Sequence, residues 1–189
     1  MALARRIVLP ALLVVAAIAL GAAPTAAQTP QRERLEHNIS AGRPYFIDFR
    51  AGMDSITGHS YVVFGRVNER GQVLSMRHAE IWPDSGDAGL FVGIFVPVRA
   101  RVRLVDGDSK QEAVISYRRY LTEAEYATVM RAIAQERRQD LFWSVWLFNC
   151  NHFTSNVAEA LGLRTPSSLL VPHFYVSTLR LLNGRQDSR

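Results

Sequence analysis

Cysteine and lysine are the two scarcities of this 189-residue sequence, with one of each. A single cysteine, Cys150, cannot close an intrachain disulfide, so its thiol is either buried and inert or reactive. Lys110 is the only lysine, and arginine carries the rest of a formal net charge of +5. No basic run and no interleaving of aromatic with basic residues stands out, so no nucleic acid partner is expected. No glycine-rich phosphate loop precedes a helix, and no set of Cys and His has the spacing of a metal site. Asp84, Asp87, Asp106 and Asp108 fall in turns too sparse in oxygen ligands for calcium. Neither a cofactor nor a metal is therefore expected.

The beginning of the chain reads as an address. Arg5 and Arg6 precede an apolar run, Ile7 to Leu20, and Ala23-Pro24-Thr25-Ala26-Ala27 offers a small-residue cleavage site. Residues 1–27 thus look like a bacterial signal peptide, which implies a periplasmic or secreted protein. The run is short of the ~20 apolar residues a spanning helix needs. The alternative is an uncleaved N-terminal membrane anchor. Residues 28–43 form a polar leader and 185–189 a polar tail. What lies between, 44–184, is enough for one domain and cramped for two.

Strand signals dominate the first half of that domain. Tyr45 to Phe49, Tyr61 to Val67 and Val73 to Ile81 read as strands, the last two joined by Asn68-Glu69-Arg70-Gly71. Pro83 to Gly89 reads as a loop, and further strands are expected at Phe91 to Val96, Val98 to Val105 and Ala113 to Tyr117. After Tyr120 the period changes. Thr122 and Glu125 have capping-box spacing, and Tyr126, Val129, Met130 and Ile133 recur at helical intervals to about Arg138. A helix from Cys150 to Gly162 would put Phe153, Val157 and Leu161 on the face of Cys150, and a last helix is expected at about Phe174 to Leu182. Trp143, Trp146 and Phe148 read as core. Strands first and helices last indicate an α+β domain, an antiparallel sheet packed against a few helices.

Thiol chemistry needs a thiolate. A helix N-terminus and a nearby imidazolium both lower a cysteine pKa. Asn149 is a favoured N-cap, which makes Cys150 the first helical residue, next to unpaired N–H groups and the positive end of the helix dipole. Asn149 and Asn151 are the candidates for shaping that helix start and an oxyanion site there. Of the histidines, His59 follows Gly58 at the mouth of a strand and is the candidate base. His37 and His173 read as solvated. His152 lies roughly 200° around the helix from Cys150 and reads as a residue that packs or fixes the helix start.

Gly58-His59-Ser60-Tyr61 opening a strand, with Asn149-Cys150-Asn151-His152-Phe153 opening a later helix, resembles the permuted papain-like superfamily. That group contains lecithin:retinol acyltransferase-like proteins, permuted NlpC-type peptidases and the PPPDE group. The resemblance implies a Cys150 nucleophile, a His59 base and a polar residue on the next strand that orients the imidazole. His78 is the first choice for that residue and Glu80 the second. Function follows as an expectation: a thiol hydrolase or acyltransferase working through an acyl-cysteine. From the export signal alone, its substrate is an amide in the cell envelope such as a peptidoglycan peptide. A lipid acyl ester or amide is the alternative, and an inactive domain that binds an envelope component is the reading from another class.

Overall fold

The computed structural model describes residues 42–53, 58–107 and 113–184. The expected signal peptide, nearly all of the polar leader and the polar tail lie outside the described residues, as do His37, Asp108 and Lys110. The described chain is α+β: a six-stranded sheet in the order β5-β1-β2-β3-β4-β6, every neighbouring pair antiparallel. The strands are β1 (Tyr45–Gly52), β2 (His59–Val67), β3 (Val73–Pro83), β4 (Val98–Asp106), β5 (Ala113–Leu121) and β6 (Leu141–Trp143). The helices are α1 (Asp87–Val92), α2 (Glu123–Arg137), α3 (Cys150–Ala160) and α4 (Pro172–Asn183).

Alternation along the central strands decides what each face of the sheet carries. Ile47, Phe49, Val62, Phe64, Ala79 and Ile81 point to one face, where Phe153, Val157, Tyr175 and Leu179 of α3 and α4 complete the main core. The intervening Phe46, Tyr61, Val63 and Val67 form a smaller cluster on the other face. Helix α3 packs on β2 and β3, and α4 on β1, β2 and β5. Phe153 is fully buried, and replacing such a residue by alanine costs ~3–5 kcal/mol. The start of α3 is therefore anchored to the middle of the sheet.

One expected strand is not a strand. Phe91 to Val96 belongs to α1 and the turn after it, and the position beside β4 is taken by β6, with Val98 opposite Trp143 and Ala100 opposite Leu141. With that side of β4 occupied, the apolar run has no strand to pair with there. Gly93 explains the tight turn that follows: a Cβ there would lie 2.3 Å from the Trp143 ring. Phe91 and Phe95 are instead left largely exposed.

Candidate active site

Cys150 is the first residue of α3, as its Asn149 neighbour predicts. Asn149 is extended, and its Oδ1 accepts from the backbone N–H of Asn151 at 2.9 Å and of His152 at 3.3 Å. His152 Nδ1 accepts in return from the Asn149 N–H at 3.2 Å. Burial holds His152 below its ordinary pKa, which leaves it neutral and able to accept. This is a reciprocal capping box with histidine where Glu or Gln usually stands. His152 thus fixes the helix start.

The two asparagines do not shape an oxyanion site in the way their position suggests. The Asn151 N–H is already taken by Asn149 Oδ1. Asn149 Nδ2 donates to the carbonyls of Val145 and Ser168, and Asn151 Nδ2 to those of Ser168 and Leu170. Asn151 Oδ1 accepts from the Ser60 hydroxyl at 2.8 Å. Both amides are scaffolding that ties α3 to β2 and to the loop at 165–171. Of the N–H groups in the first turn, that of Cys150 itself has no acceptor among the described residues.

His59 opens β2, directly after Gly58, whose φ of 76° favours glycine and where a Cβ would lie 3.0 Å from the Gly52 carbonyl oxygen. The imidazole is buried between Tyr61, stacked at 6.1 Å, and Trp82, edge-on at 5.1 Å. Its Nε2 meets Glu80 Oε2 at 3.0 Å, and the neighbouring Cys150 thiol interacts with the same ring and raises its pKa. Glu80 also lies 3.5 Å from Arg103 Nε, whose guanidinium covers the Trp82 ring. Cys150, His59 and Glu80 are all buried and form one connected line.

Burial alone would lower the His59 pKa and raise that of Cys150. In His59 the bonds to Cys150 and Glu80 outweigh burial and push it up to about 10. In Cys150 the bond to and charge of His59, helped by the Ser60 backbone N–H, outweigh burial and bring the thiol below its ordinary 9.0. Glu80 is likewise held below the ordinary carboxylate value: burial opposes this, but His59, Arg103 and His78 prevail. Both shifts favour the thiolate and imidazolium form of the pair.

His78, the first choice as orienting residue, is not the partner of His59. The antiparallel register sets His78 opposite Val63 and Ala79 opposite Val62, so residues further along β3 come closer to His59. Glu80 is the one that arrives. His78 is instead buried edge-on to Tyr61 with its Nδ1 unpartnered, so it is not a solvated edge residue either. His173 is half-buried against Phe174 rather than solvated. Among the described residues, no group of three or more His, Cys, Asp and Glu is placed to hold a metal ion.

Cys150 and His59 open onto a cavity of about 820 Å³. Its walls are apolar, from Leu90, Ile94, Trp143, Val145 and Leu170 among others, and Asp87 is the one carboxylate among the described residues of the lining. Trp143 is core as expected, but Trp146 is 64% exposed and lines the cavity, and Phe148 is only half-buried. The sequence signal for this wall was its charge: none from Ala88 to Val98, none from Leu141 to Asn149. Comparison with protein-family models, with curated proteins and with solved structures finds no match.

Proposed function

We propose that this chain is an exported thiol acyl hydrolase or acyltransferase that acts on an aliphatic acyl ester or amide. The connected line Cys150–His59–Glu80 at a helix start carries the reading, and the likeness to permuted papain-like enzymes agrees with it. The Cys150 thiolate attacks the substrate carbonyl carbon, forming a C–S bond and an oxyanion near the helix N-terminus, where the Cys150 N–H is the free donor. Collapse breaks the C–O or C–N bond, and the leaving alcohol or amine takes the proton from the His59 imidazolium. Water or an acceptor alcohol then loses a proton to His59 as it attacks the thioester, the C–S bond breaks, and the thiolate and imidazolium are restored. Glu80 holds the imidazole in register and stabilises its charge.

The lining favours an acyl chain over a peptidoglycan stem peptide. A stem peptide carries several carboxylates, and among the described residues that line the cavity there is no Arg or Lys to meet them. An acyl chain needs only apolar walls.

The test is incubation of the purified protein with phospholipid and, separately, with muropeptides, with Cys150→Ala as control. Fatty acid release and an acyl-thioester mass on Cys150 are expected with phospholipid. The rate rises with pH through the lowered thiol pKa and falls as His59 loses its proton near 10. Turnover of neither substrate, or turnover equal to that of Cys150→Ala, overturns the reading. Turnover of muropeptides alone overturns the choice of substrate.

A further inference from the structure

Several side chains that line the cavity are also largely exposed, and they therefore form its mouth: Phe91 63%, Trp146 64% and Leu169 61%. They come from three segments far apart in sequence, and Met53, 60% exposed, adds a fourth. Beyond them, Phe95, edge-on to Phe91 at 6.0 Å, is 74% exposed, and Leu147 is 69% exposed. This rim is preformed rather than loose: Trp146 Nε1 donates to the Ile94 carbonyl at 3.0 Å and the Val145 N–H to that of Gly93 at 3.2 Å. Asn149 and Asn151 hold the third segment by its carbonyls.

We infer that this rim docks on the surface of a phospholipid bilayer with anionic headgroups. Its chemistry is that of an interfacial patch, with Trp, Phe and Leu together and no Asp, Glu, Lys or Arg in 88–98, 141–149 or 165–172. Charge supports an anionic surface. Without Arg5 and Arg6 of the expected signal peptide the formal +5 falls to +3, still cationic, and exposed Arg99, just past the first rim segment, covers the exposed Phe142 ring at 5.9 Å. Continuity with the cavity separates a bilayer from the other occupants. A second copy or a folded partner on this rim would cover the mouth of the cavity that reaches Cys150, whereas a bilayer covers the rim and supplies an acyl chain through the same opening. Among the described residues no helix is long and apolar enough to cross a membrane, so contact at the described face is peripheral. The supply of substrate rests on the acyl reading above. The docking does not.

The test uses the full chain carrying Cys150→Ala, with vesicles of phosphatidylcholine and phosphatidylglycerol brominated along the acyl chains. Bromine quenches a tryptophan only where the ring enters the lipid, so an N-terminal attachment does not mimic the result. Quenching of Trp146 is expected, with Trp146→Phe removing the quenched component. The double variant Phe95→Asp/Leu147→Asp should bind these vesicles about tenfold or more weakly, while wild-type and variant chains with Cys150 intact hydrolyse a dissolved short-chain ester equally. Vesicle binding with no quenching of Trp146 overturns the inference. So does a Trp146 ring already shielded from acrylamide without lipid, which would mean that a second copy or the chain's own N-terminal apolar run covers it. If the dissolved ester is not turned over by wild type, the acyl reading fails while the quenching still decides the docking.

Discussion

Helices α2 and α3 begin with the same reciprocal cap and use it for different ends. At α2 the Thr122 hydroxyl accepts from the Glu125 N–H, and Glu125 accepts from the Thr122 N–H at 2.7 Å. Glu123 and Glu125 place two carboxylates in the first turn, where they neutralise the positive end of the helix. At α3 the box is Asn149 with His152, and the first turn holds no acid. The positive end is thereby left for the Cys150 thiolate. A cap of one design stabilises a helix in the first case and positions the Cys150 thiol in the second. The difference is one of charge, not of hydrogen bonding.

Removing the imidazole leaves the α3 start as the main support of the thiolate. His59→Ala should slow iodoacetamide alkylation of Cys150 at pH 6 by on the order of a hundredfold, since two pKa units separate a paired from an unpaired thiol on that scale. If the rate is unchanged, the helix start alone suffices and the imidazolium is not its partner. Next is the cap itself. Asn149→Ala should cost about 2 kcal/mol in urea unfolding, from the lost cap and the Val145 carbonyl left without its side-chain donor. Thr122→Ala should cost about 1 kcal/mol and leave Cys150 alkylation unaltered.

Glu80→Gln keeps a partner for the imidazole and removes its charge. The expected result is a roughly tenfold slower alkylation at pH 6, whereas His78→Ala leaves that rate within about twofold. Because Glu80 is held below its ordinary value, the stability it adds is present above 4.5 and is lost as pH falls through the lowered value. Acid unfolding of Glu80→Gln should therefore be shallower. The smallest effect is the most direct test of the contrast between the two caps. His152→Glu gives α3 the same kind of box as α2, and should raise helix stability by about 0.3–1 kcal/mol while slowing Cys150 alkylation a few-fold. A faster thiol in this variant would sink the charge argument.

Local chemistry made much of the molecule legible. Thr122 and Glu125 mark the start of α2, Asn149 marks that of α3, and the period-2 runs around Val62 and Ile81 mark central strands. Phe91 to Val96 misled because its apolar run fits a strand by composition, and only the pairing of β6 with β4 excludes it. The site was legible in its two ends. Cys150 and His59 were readable because a cap and a glycine are local signals, and the structure brings both to one cavity. The partner of His59 depended on register, a non-local property. His78 and Glu80 share a face of β3, so alternation could not choose between them.

What the sequence determined by itself were the quantities carried by neighbours along the chain: helix starts, strand periods, the single thiol and the charge-free segments. Capping and alternation act within a few residues, and a sequence displays them. Tertiary structure alone decided that Glu80 reaches His59, that the Asn149 and Asn151 amides serve the loop at 165–171, and that three apolar segments meet around one mouth. Each of these depends on which elements lie side by side. That is set by burial of the whole core and not by any local run of residues.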